Sequence, residues 1–232
     1  MVKAPAQQEV MTKFLSALFS WRWEIGGADT GFYAMGFLGD AQVIAIGQNA
    51  HGLGLPSVYM HCDDIQATVT AAKAAGATIF MEPMTIMEAG TLAMGVDPGG
   101  AVFGMWQGNL MPGFGTSNVD DAFCWFDCMT AEPLAIGAFY AEVFGLQFQP
   151  MGNGGMLLSD GALLASVSQA PAGIPALWNP IVKVTSVDDA EQRAGALGCD
   201  VLMSRMPVPG GLASAMHHAD TGLTVTVFEG TV

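Results

Sequence analysis

The chain repeats itself, and this constrains its fold more than any local pattern does. Residues 11–24, MTKFLSALFSWRWE, resemble residues 136–149, IGAFYAEVFGLQFQ, with Phe19 and Phe144 in the same register. GDAQVIAIGQ (39–48) aligns with DGALLASVSQ (160–169), matching Gln48 to Gln169. VYMHCDDIQATVTAAKAAGATI (58–79) aligns with PIVKVTSVDDAEQRAGALGCDV (180–201), and VDPGGAVFGMWQG (96–108) with ADTGLTVTVFEG (219–230). Four blocks in one order, each pair separated by nearly the same stretch of chain, identify a tandem duplication. The join falls in MPGFGTSN (111–118), rich in turn-forming residues. The expected organisation is one domain over 1–110, a linker over 111–118 and a second domain over 119–232, each long enough to bury a core.

Within each repeat the elements follow from periodicity. Val10, Met11, Phe14, Leu15, Leu18 and Phe19 recur at helical spacing and predict a helix over 7–20. Short β-rich runs at 32–38 and 42–47 flank a Gly39-Asp40 turn. A strand at 57–62 leads into a helix capped by Asp63 or Asp64 and closed by Gly76. Strands follow near 78–82, 91–96 and 101–107, the last two joined by Asp97-Pro98-Gly99-Gly100. In the second half a strand at 122–128 precedes a helix with Thr130 as its cap and Pro133 in its first turn. A strand at 179–185 then precedes a helix at 188–197, closed by Gly198. Each half reads β-α-β-β-β twice, except that the first strand of the first module is absent. Another segment or a second subunit is expected to cover the open sheet edge this leaves, an arrangement compatible with a homodimer.

The bulk numbers exclude some partners. Acidic residues outnumber basic ones 21 to 7, for a formal net charge of −14. Such a chain repels nucleic-acid phosphates and anionic membrane surfaces, and no Lys/Arg cluster overrides the average. No stretch reaches the ~20 apolar residues that span a bilayer, and the N-terminus does not read as a signal peptide. Cys62, Cys124, Cys128 and Cys199 form no CxxC pair and read as free thiols of a reducing, cytoplasmic compartment.

AFYAEVFG (138–145), YMHCDDIQATV (59–69) and DPGGAVFGMWQ (97–107), in this order, resemble the glyoxalase/bleomycin-resistance (vicinal oxygen chelate) superfamily. The similarity is strongest to tandem actinobacterial members labelled glyoxalase-like or hydroxylase-like. The resemblance covers the chain from about residue 7 and implies an α+β fold of paired βαβββ modules. It also implies a cup in each pair, where His and Glu side chains usually hold a divalent metal. Carried over one position at a time, those ligand positions fall on Ser57 and Gly104 in the first half, and on Trp125, Asn179 and Thr226 in the second. None is His, Asp or Glu, so no cofactor is expected, although a divalent metal held by other groups stays open.

Strand alternation identifies what faces each cup. The first carries Ser57, Tyr59, His61 and Trp106; the second carries Trp125, Asp127, Asn179, Lys183, Thr226 and Phe228. His61 is a candidate general base, because imidazole titrates near neutral pH, or a strand-end histidine bonded to backbone. Asp127 and Lys183 are a candidate catalytic ion pair or a structural pair at the sheet rim. The remaining residues are candidates for substrate contact. His217-His218 resembles a ligand pair, but neighbours on a strand point to opposite faces. Glu132 suits a helix first turn and is assigned no chemistry. Sixteen methionines, among them Met60, Met81, Met84, Met94 and Met105, offer either ordinary packing or an adaptable apolar pocket.

Two classes of function remain. One is a metal-independent enzyme of secondary or xenobiotic metabolism, transferring protons in an isomerisation, cyclisation or lyase reaction on an oxygenated aromatic molecule. The other is a non-catalytic protein that sequesters a drug or metabolite between aromatic walls. A metal-dependent glyoxalase or dioxygenase with unrecognised ligands is third.

Overall fold

The structure is a computed structural model and describes residues 6–47 and 57–231; Gln48 lies outside them. The first module comprises α1 (Ala6–Leu18), β1 (Arg22–Ile25), β2 (Ala34–Leu38) and β3 (Ala41–Ile46). The second comprises β4 (Val58–His61), α2 (Ile65–Ala74), β5 (Thr78–Ile86), β6 (Gly90–Val96) and β7 (Val102–Gly108). The third comprises β8 (Phe123–Thr130), α3 (Pro133–Phe144), β9 (Gln147–Met151), β10 (Gly154–Ser159) and β11 (Ala162–Gln169). The fourth comprises β12 (Leu177–Lys183), α4 (Val187–Ala196), β13 (Cys199–Val208), β14 (Gly211–His218) and β15 (Leu223–Gly230). Three modules open with a strand that lies parallel to their last strand: β4 to β7, β8 to β11 and β12 to β15. Among the described residues the first module opens with α1, and β3 pairs with β2 alone.

The helix starts show the same chemistry in the second and fourth modules. Asp64 Oδ1 accepts from the backbone N–H of Gln66 and Ala67, each at 3.0 Å, and Ser186 Oγ accepts from Asp189 N at 3.2 Å. At the first residue of each helix, Gln107 Oε1 accepts from Ile65 N at 3.0 Å and Glu229 Oε2 from Val187 N at 2.9 Å. Each helix therefore begins on two side-chain acceptors that satisfy N–H groups with no partner inside the helix. Asp64→Ala is expected to cost about 1 kcal/mol of stability, read as a lower urea midpoint at unchanged slope.

Three local expectations need correction. Thr130 is the last residue of β8 and does not cap α3; Glu132 occupies the cap position without a side-chain bond, and Pro133 opens the helix. The βαβββ pattern requires three strands after α1, and the one not located from the sequence forms at Arg22–Ile25. Strand β5 runs on to Ile86, because register shifts beside Met81 let it pass Pro83 while still pairing with β6.

The chain forms two compact units, and each draws on both sequence halves. The first unit comprises Met1–Gly54, Phe114–Trp125 and Ile181–Val232; the second comprises Leu55–Gly113 and Phe126–Pro180. The first unit contains the β1-β2-β3 sheet and strands β13-β14-β15, with β15 beside the end of β12. Its core gathers Phe14, Leu15, Leu18 and Trp21 around α1 with Val187, Ala190, Met216 and Val227. The second unit contains sheet β4-β7-β6-β5 and strands β8-β11-β10-β9. Its core gathers Ile65, Val69, Phe103 and Met105 with Ile136, Tyr140, Val167 and Trp178. All four cysteines are free thiols, and no helix among the described residues is long and apolar enough to cross a membrane.

Candidate functional site

The most chemically pointed group in the second unit is the Asp127 carboxyl. On β8 the even-numbered Cys128 and Thr130 face the core, fully buried, which turns Asp127 to the opposite face. The parallel register sets Ser166 of β11 beside Asp127, and alternation puts Ser168 on the same face while Ala165 and Val167 enter the core. Ser166 Oγ donates to Asp127 Oδ1 and Ser168 Oγ to Oδ2, both at 2.6 Å. Burial pushes the carboxyl above the usual carboxylate range, and the two hydroxyl bonds only partly offset it. A carboxyl held in fixed geometry and raised by burial is suited to accept and return a proton. Cross-strand pairing continues the row through Met156 to Gln149.

The other expected residues divide between the units. In the second unit His61 ends β4 with its side chain 67% exposed, its Nε2 3.2 Å from Asp63 Oδ1. Trp106 pairs with it across the sheet and donates its indole N–H to Met111 O at 2.8 Å. Tyr59 lies one row away, with its hydroxyl 3.7 Å from Met94 Sδ. Ser57 and Asn179 are half-buried. In the first unit Trp125 is half-buried, and Lys183 donates to Asn118 O at 3.4 Å. Asp127 and Lys183 are each bonded within their own unit, Asp127 to two serine hydroxyls and Lys183 to a backbone carbonyl. Thr226 and Phe228 are only 5% and 6% exposed, which leaves them little surface to offer a substrate. His217 and His218 diverge as alternation requires: His217 meets Thr224 Oγ1 at 3.1 Å, while the buried His218 ring stacks on Phe14 at 4.2 Å.

A divalent metal does not fit the positions at which the resemblance would place its ligands. At Gly104 a Cβ would stand 2.3 Å from a Tyr59 ring carbon, so the tyrosine ring occupies the space an acidic side chain would need. No group of three or more His, Cys, Asp or Glu side chains among the described residues could hold an ion. Ser166, Ser168 and the Tyr59–Gly104 contact were not singled out from the sequence. The serines carried a usable signal, two small polar residues two apart on a strand, but only the parallel register reveals what they face. Asp127 lines neither of two shallow concavities, one of about 400 Å³ against Trp23 in the first unit and one of about 240 Å³ between Thr85 and Gln107 in the second.

No known family profile matches the chain. It is 29% identical over 217 residues to "Putative glyoxylase CFP32" of Mycobacterium tuberculosis, covering 87% of this chain and 82% of that protein. It is 25% identical over 172 residues to "Anthracycline biosynthesis protein DauV" of Streptomyces sp. (strain C5), covering 71% of this chain and 62% of that one. Its fold superposes on the 2,3-dioxygenase LapB from Pseudomonas sp. KL28 with a TM-score of 0.66 at 12% identity, over 97% of this chain and 88% of the other.

Proposed function

We propose, from the premise that the chain belongs to the glyoxalase/bleomycin-resistance (vicinal oxygen chelate) superfamily, that it is a metal-independent enzyme acting on a small oxygenated aromatic molecule of secondary metabolism. The observation that carries this reading is the Asp127 carboxyl, clamped by two serine hydroxyls and raised by burial. The relative named for anthracycline biosynthesis supports the metabolic setting.

Asp127 takes a proton from an acidic C–H or O–H of the substrate and returns it at another position, as an isomerisation, cyclisation or lyase reaction requires. Ser166 and Ser168 fix the plane of the carboxylate and supply hydroxyls that can turn toward substrate when Asp127 is protonated. Met156 gives that face an adaptable apolar contact. His61, at an exposed strand end beside Asp63, is a secondary candidate for the same task, and Lys183 a third.

The test joins metal analysis to ligand recovery. Protein purified without chelator or affinity nickel is expected to hold less than ~0.1 equivalent of Fe, Mn, Zn, Ni or Co. Small molecules incubated with it are expected to return chemically altered by mass spectrometry. About one equivalent of metal would overturn the metal-free reading. A tightly bound molecule recovered unchanged would instead favour the sequestering protein.

A further inference from the structure

We propose that the small molecule received at Asp127 carries a protonated amine, and that the Asp127 carboxylate is its counter-ion. This rests on the reading of the Asp127 face as a small-molecule site and adds the charge class of what binds there. Asp127 takes its hydrogen bonds from the neutral hydroxyls of Ser166 and Ser168 at 2.6 Å, and among the described residues no cation is bonded to it, so its ionised form has no counter-ion. The unit around it has almost nothing to neutralise it with. Leu55–Gly113 holds five Asp and Glu residues and Phe126–Pro180 four, nine in all, against a single basic residue, Lys73. Lys73 is committed to Glu82 at 2.7 Å, and the unit's described histidine, His61, to Asp63.

A half-buried carboxylate normally has a cation beside it, because desolvation of the charge must be offset by attraction. Here a ligand ammonium would supply that partner. It would find a carboxylate already oriented, the Ser168 oxygen able to accept a further N–H bond, and the polarizable Met156 along the same row for its apolar body. The surplus of carboxylates in the unit favours a cation over a neutral or anionic molecule of the same shape.

The test compares 2-(1-naphthyl)ethylamine with 2-(1-naphthyl)ethanol, matched in size and differing in charge, by calorimetry at neutral pH and about 0.15 M salt, where long-range attraction is screened. The amine is expected to bind about ten-fold tighter or more. In Asp127→Asn, with folding verified by thermal melting, the preference should collapse to near unity. In Glu132→Gln, which removes one charge from the same unit at an exposed helix start, it should persist. Equal binding of amine and alcohol would overturn the assigned charge class while leaving a small-molecule site in place. A preference that survives Asp127→Asn, or that Glu132→Gln erases equally, would assign the attraction to net charge and overturn the proposal. Failure of both probes to bind would overturn it together with the reading of this face as a binding site.

Discussion

Asp97→Ala is expected to lower the free energy of unfolding by about 3–5 kcal/mol, the largest stability loss of any single polar truncation in the second unit. Asp97 is 4% exposed in the turn between β6 and β7. Its Oδ1 accepts from Gly99 N and Ala101 N at 2.9 Å each, and its Oδ2 accepts from the Tyr140 hydroxyl at 2.8 Å. The Tyr140 oxygen in turn accepts the Trp178 indole N–H at 2.8 Å, and both rings are fully buried. One carboxyl thus terminates a chain of donors from a turn, a helix and a strand, and alanine would leave three of them without an acceptor in the core. Tyr140→Phe removes the link and not the anchor, so a smaller loss of about 1–2 kcal/mol is expected. Urea denaturation of both variants checks the order. A cost below about 1 kcal/mol for Asp97→Ala would mean that water replaces the carboxyl and that the network is not what holds the turn.

The turn that carries this network was legible in the sequence, and the network was not. Asp97-Pro98-Gly99-Gly100 announces a turn through residues whose backbone preferences are strong and local, and Gly100 adopts a φ of 102° there. Nothing local says that Tyr140 reaches this carboxylate, or that Trp178 joins the chain by donating to the Tyr140 hydroxyl. The same division holds at the site. Asp127 could be read as cup-facing because alternation along β8 is a local rule. Its partners could not, because the sequence supplied a plausible alternative in Lys183 and no signal for the register between β8 and β11. Alternation assigned Thr226 and Phe228 to a cup, yet they are nearly sealed, since burial depends on neighbours that pattern does not contain. That Ser57, Gly104, Trp125, Asn179 and Thr226 are neither His nor Asp nor Glu is read directly from the sequence. That Tyr59 fills the space above Gly104 is a packing outcome, available only once the side chains are placed.

Asp127→Asn is expected to abolish turnover and stabilise the fold with one substitution. Loss of the proposed proton carrier is expected to lower the rate by about 10²–10⁴-fold. The amide can still accept from one serine and donate to the other, so the clamp survives and little packing is lost. The stability effect follows from linkage. Burial raises the folded-state pKa of Asp127 above its usual value, so the folded protein binds the proton more tightly than the unfolded chain does. Below the unfolded pKa both states are protonated, and the stability that proton contributes is fully present. As pH rises through the raised folded value the proton leaves and that stability is lost. Asparagine cannot ionise, so the variant should match the native protein at acid pH, gain on it through this window, and hold a constant advantage above it. Urea denaturation of both proteins across the acid-to-neutral range reads this directly. A variant less stable at neutral pH, or an advantage independent of pH, would make Asp127 a structural anchor that serves the fold. Gain of stability with loss of turnover would identify a carboxylate kept desolvated for its chemistry, at a cost the fold bears elsewhere.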